Sequence, residues 1–169
     1  MTSALSDPSA ATTVADGPSY VTAEIGGQLF GLPIDRVQDV FSIGALTPVP
    51  LSPPDVVGLM NMRGRVVTAL DIRQRLGLAQ GAVEPGTMAI GIEAAGDSYG
   101  LVVERIGEIV SPSREDCDPN PIHLDPSWAA LSRGVHRLKD ELLVVLDVDA
   151  ILGLPARPAN NPRAPENLQ

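Results

Sequence analysis

The chain has 169 residues and a formal net charge of −9, with 21 Asp and Glu against 12 Lys and Arg. That balance argues against a nucleic-acid partner, which needs clustered cations to meet phosphate, and against an anionic membrane surface. Hydrophobic residues make up 44% but aromatics only 3%, so any core must be aliphatic, and the single Cys117 permits neither an internal disulfide nor a Cys-rich metal site.

Residues 1–18 are rich in Ala, Ser and Thr, with no basic start and no apolar stretch of signal-peptide length, and read as a disordered tail. The first strand is expected at Tyr20 to Ile25, a hairpin turn at Gly26-Gly27, and the returning strand at Gln28 to Leu32. A third strand is expected from Val37 to Phe41. Gly44 to Pro54, with Pro48, Pro50, Pro53 and Pro54, reads as a loop. Gly58 to Met62 is an apolar run, Arg63-Gly64-Arg65 carries a turn signal, and Val66 to Leu70 is a β-branched, buried strand. Asp71 sits where a helix N-cap would, and Ile72 to Leu76 makes a short helix stopped by Gly77, so a helix is expected over Asp71 to Leu76. Ala79 to Gly86 is a linker.

Strands follow at Met88 to Ile92, Ser98 to Val103 and Ile106 to Val110. Ser111 to Asp125 is a polar, acidic loop, and Trp128 to Ser132 a helical turn. Two more strands, Gly134 to Leu138 and Glu141 to Leu146, lead into a last helix over Asp147 to Leu152. Residues 155–169 contain Pro155, Pro158, Pro162 and Pro165 and read as a second tail, since proline at that density stops a helix. No apolar run approaches the roughly 18 residues of a membrane span, and the reading is cytoplasmic.

The chain repeats itself. Sliding Gly58 onto Gly134 puts Leu70-Asp71 on Leu146-Asp147 and Leu76-Gly77 on Leu152-Gly153. A second match lays Phe30-Gly31-Leu32 on Tyr99-Gly100-Leu101, Val37 on Ile106 and Asp39 on Glu108. Two matches in one order, punctuated by the same glycines, indicate an internal duplication into two similar subdomains, with copies at about 20–78 and 88–154. Many short strands with frequent turn signals give an all-β class, and five strands per copy bury too little alone, so the copies are expected to share a core.

No residues assemble a nucleophile, a base and an orienting group. There is no G-x-S-x-G elbow and no Gly-rich loop ending in Lys-Ser or Lys-Thr. His123 and His136 lack ligand partners at metal-binding spacing. Asp147-Val148-Asp149 reads as a cap plus a first-turn acid rather than a metal site, and Cys117 as an incidental thiol. No metal, cofactor or catalytic residue is expected, and the pattern suggests a binding module.

The residues Tyr20-Val21-Thr22, Phe30-Gly31-Leu32-Pro33-Ile34 with Val37 and Asp39, Pro50, Gly58-Leu59-Met60-Asn61-Met62-Arg63-Gly64, Leu70-Asp71-Ile72-Arg73 and Tyr99-Gly100-Leu101-Val102-Val103 resemble the CheW family of bacterial chemotaxis coupling proteins. The likeness spans about residues 18–154, and the domain is set at 19–154. It implies two SH3-like five-stranded β-barrels packed side by side. It also implies a non-enzymatic adaptor that joins the cytoplasmic tip of chemoreceptors to the regulatory domain of a CheA-type histidine kinase, and admits other CheW-like proteins in array rings. By resemblance, Val37, Asp39, Gly58, Arg63 and Val66 form the receptor groove, and the segments around Val57 and His123 contact the kinase. Read without the resemblance, Arg63 is a solvated turn charge and Val37 and Val66 are core residues. The chain departs from the family pattern with Asp39 in place of the usual Glu, Thr68 where proline is frequent, and Arg65 beside Arg63. The alternatives are an adaptor of a non-flagellar system such as twitching motility, and an enzyme with a small-ligand site between the barrels.

Overall fold

The computed structural model describes residues 17–79, 81–119, 121–122 and 124–153. The expected tails fall almost wholly outside these residues, and so does His123. Eleven strands and two short helices follow one another: β1 (Tyr20–Ile25), β2 (Gln28–Pro33), β3 (Val37–Ser42), β4 (Val56–Met62), β5 (Arg65–Leu70), β6 (Met88–Ala94), β7 (Asp97–Val103), β8 (Arg105–Val110), β9 (Cys117–Asp118), α1 (Pro126–Leu131), β10 (Ser132–Arg137), β11 (Leu142–Leu146) and α2 (Val148–Ile151).

The class is all-β, as the sequence indicates. The strands form a six-stranded sheet in the order β8-β1-β2-β11-β10-β9 and a five-stranded sheet in the order β3-β6-β7-β5-β4. Neither closes into the barrel the resemblance implies. Each sheet instead ends in two edge strands, β8 and β9 in the larger and β3 and β4 in the smaller.

The duplication is visible in the pairing, and each sheet mixes the two copies. The first copy's β1-β2 hairpin lies between the second copy's β8 and β11, and the second copy's β6-β7 hairpin lies between the first copy's β3 and β5. The parallel pairs are equivalent too, β11 with β2 and β5 with β7. So are the irregularities: the ladder slips between Val56 and Gly58 in β4 and between Ser132 and Gly134 in β10.

One apolar cluster draws from both sheets and both copies, including Val21, Phe30, Leu70, Ile90, Leu101, Val144, Leu146 and Ile151. The copies therefore share a core, as their small size requires. Phe30, fully buried, stacks at a tilt on Trp128 of α1 with ring centroids 5.3 Å apart. The Trp128 indole N–H donates to the Leu76 carbonyl at 2.7 Å, tying α1 to the end of the first copy.

The helix expected over Asp71 to Leu76 is a single turn instead. The Asp71 carboxylate accepts from the Arg73 N–H at 3.0 Å, which starts it. Gly77, at φ 72°, stops it, with Leu78 N–H bonding to the Arg73 carbonyl and Gly77 N–H to that of Gln74. This is a left-handed glycine cap of the Schellman kind. Only one helical bond, Leu76 N–H to the Ile72 carbonyl, forms between start and stop. The equivalent signals in the second copy leave α2, capped by Asp147 accepting from the Ala150 N–H at 3.2 Å.

Candidate functional site

The five-stranded sheet carries a cleft of about 310 Å3, lined among others by Asp39 and Phe41 of β3, Met62, Arg63 and Arg65 around the β4-β5 turn, Glu93 of β6 and Tyr99 of β7. Its shape follows from glycines. Gly91 and Gly100 are cross-strand partners in the β6-β7 hairpin. A Cβ at Gly91 would overlap the Asp39 carboxylate, and one at Gly100 would sit 2.8 Å from the Phe41 ring. The side chains of β3 therefore lie down over a backbone left bare for them, and glycine within a strand marks such an approach.

Arg63 is delivered by the turn. Arg63 and Gly64 have φ of 54° and 82°, the type I′ geometry of a two-residue hairpin loop, and the Asn61 side-chain oxygen accepts from the Gly64 N–H at 3.0 Å. The cleft thus has a cationic rim, Arg63 and Arg65, and an anionic rim, Asp39 and Glu93, above a floor that includes Phe41, Met62 and Val67. Arg65 and Glu93 approach across it to 3.9 Å, a distance at which an exposed pair contributes little.

Of the residues expected to form one groove, the cleft brings together Asp39 and Arg63. Val37, half-buried, packs against the main core. Gly58 is buried at the bulge of β4, where a Cβ would come within 2.8 Å of the Thr47 carbonyl oxygen. Val66 is 62% exposed and, one residue from inward-facing Val67, stands on the opposite face of β5. Val57 packs against the smaller cluster around Ile43, Met60 and Val102. Sequence reading missed Phe41, Glu93 and Tyr99 as cleft residues. The available signal was the pair of strand-interior glycines, Gly91 and Gly100.

Other charges brace the two copies. Arg36 donates to the nearly buried Asp149 carboxylate at 2.9 Å. Arg73 grips Asp71 with a shortest approach of 2.6 Å, and this hydrogen-bonded carboxylate raises the Arg73 pKa. Arg75 reaches from the first copy to the carbonyls of Ile151 and Ala150 at the end of α2. Among the described residues no three His, Cys, Asp or Glu side chains are grouped to hold a metal ion, and no helix is long and apolar enough to cross a membrane.

Residues 19–155 match the family described as the CheW-like domain. The chain is 26% identical over 132 residues to the chemotaxis protein CheW of Treponema pallidum, covering 76% of this chain and 78% of that protein. It is 28% identical over 145 residues to the chemotaxis protein CheW of Rhizobium meliloti, covering 85% and 92% respectively. Among solved structures, the scaffolding protein TtCheW from Thermoanaerobacter tengcongensis is similar in fold, with a TM-score of 0.68 at 22% identity over 78% of this chain and 89% of that one. Interleaved sheets, matched bulges and a family match spanning both copies lead to one conclusion: the chain belongs to the CheW-like domain family.

Proposed function

We propose that this chain is a non-enzymatic adaptor of the cytoplasm that couples chemoreceptors to a CheA-type histidine kinase. The observation that carries the proposal is the two-signed cleft, with Arg63 and Arg65 on one rim, Asp39 and Glu93 on the other and apolar side chains beneath. Such a cleft fits an amphipathic helix at a receptor tip: the apolar stripe lies on the floor and flanking charges of opposite sign set the register. Arg63 supplies several donors in a fixed fork, suited to a glutamate or to helix carbonyls. Val37 and Gly58 hold β3 and β4 behind the cleft, and exposed Val66 adds apolar surface on the far face of the hairpin. The kinase regulatory domain docks elsewhere, at the proline-bearing loop leading to Val57 and at the loop containing His123, and array rings admit other CheW-like proteins as further partners. Several weak contacts joined in one assembly bind far more firmly than each alone.

Calorimetric titration tests this with two partners from the same genome, a receptor cytoplasmic fragment and the isolated kinase regulatory domain. Arg63→Glu abolishes receptor binding and leaves kinase binding in the micromolar range. No heat with either partner for the unaltered chain refutes the coupling role.

A further inference from the structure

The six-stranded sheet buries a titratable ring that the cleft does not use. His136 of β10 is 1% exposed. Its Nε2 shares a hydrogen bond with the Tyr20 hydroxyl at 3.1 Å, and the two rings lie 5.2 Å apart. Its Nδ1 is buried and has no hydrogen-bond partner among the described residues. A neutral imidazole has one donor and one acceptor nitrogen, and the Tyr20 hydroxyl serves Nε2 in either role. An imidazolium has two donors, and the second would be a buried N–H carrying positive charge with nothing to receive it.

The polar groups around the ring come from three elements. Tyr20 lies on β1. Cys117 of β9 is the cross-strand partner of His136, and Asp116 and Asp118 beside it act on the ring through their charge. On β10 itself Arg133 acts on Tyr20, and Arg137, next to His136 and so on the other face, holds Asp118 at 2.9 Å. On the other side β11 presents only Leu143 opposite His136. Burial lowers the His136 pKa from its ordinary value, and the Asp116 and Asp118 carboxylates oppose this more weakly. Burial likewise raises that of Tyr20.

What can move is β9. It is the edge of the sheet, two residues long, and among the described residues it pairs through Val135 with Asp118 and His136 with Cys117, beside the largely exposed Arg137–Asp118 ion pair. The apolar cluster beside Tyr20, made of Leu143 and Val145, is separate from the main core, so opening here need not unfold the molecule. We propose that His136 is an acid-sensitive clasp, which keeps β9 on the six-stranded sheet while the imidazole is neutral and releases it on protonation. Release admits water to Nδ1 and frees Asp116 and Asp118 to meet the new charge.

The sign follows from linkage. The ring is a base held neutral when closed, so the open form binds the proton more readily. The clasp is at full strength above the ordinary histidine pKa of about 6.5 and weakens as pH falls through that value toward the lowered value of the closed form.

The test is amide hydrogen exchange on the full chain between about pH 7.5 and 5, corrected for the intrinsic exchange rate. Protection over residues 113–118 is expected to fall several-fold, while β6 keeps its protection. His136→Phe removes that fall. An equal fall in His136→Phe, or none in the unaltered chain, overturns the proposal. Should His136→Phe not fold, an NMR titration of the His136 ring in the unaltered chain decides. Titration below about 6.5, with β9 amide shifts moving in step, supports the clasp. Titration at or above that value, or unmoved β9 shifts, overturns it.

Discussion

Arg63 occupies the left-handed region at φ 54°, where a side chain costs on the order of 1 kcal/mol relative to glycine. Binding and stability can therefore be separated at this position. Arg63→Gly keeps the turn, leaves stability unchanged or raises it by up to about 1 kcal/mol in chemical denaturation, and loses the receptor contact proposed for the guanidinium. Gly58 is the opposite case. A Cβ there meets the Thr47 carbonyl at 2.8 Å, so Gly58→Ala must push residue 47 off β4. A loss of about 1–3 kcal/mol is expected from such a backbone clash, read as a lower denaturation midpoint. Asp39 and Arg63 were legible as candidates only through the family resemblance, because local pattern alone makes Arg63 a solvated turn charge. Glu93 and Tyr99 were not, because they enter the cleft from the other copy through long-range pairing that no local pattern encodes.

Single turns and short strands carry much of the architecture here. Arg75, from the one-turn segment after β5, bonds two carbonyls at the end of α2 and lies 3.7 Å from Asp55. Arg75→Met keeps the aliphatic stem but strands those carbonyls. It should cost about 1.5–3 kcal/mol, the range for hydrogen bonds to charged groups, and Arg75→Lys should recover less than half, since an ammonium cannot reproduce the fork. Thermal melts of both variants check this. The cap signals at Asp71 and Asp147 were readable, and each is followed at the same distance by a positive-φ glycine, Gly77 or Gly153, yet only the second opens a helix. The strand β9 was hidden inside a polar loop, and two residues of pairing carry no periodicity to detect.

At the scale of the molecule, the exchange of hairpins decides how stability is distributed. Neither copy contains a complete sheet, and the main cluster spans both. Unfolding should be one cooperative transition, with calorimetric and van't Hoff enthalpies equal. Two separable transitions would contradict the shared core. Phe30→Ala, at the centre of that core, should cost about 3–5 kcal/mol and lower the single transition as a whole. The all-β class and the duplication were legible in the sequence because alternation and glycine punctuation are local. Which strand pairs with which copy was not, because a hairpin's edges look the same whichever neighbour they meet. The interleaving also says something about ancestry. A chain with only one copy would hold a hairpin whose neighbours belong to a second molecule. Two such chains could complete each other as a two-fold dimer with exchanged hairpins. Joining them through a stretch such as residues 79–87 would produce the present connectivity, in which one gene encodes both partners of a former handshake.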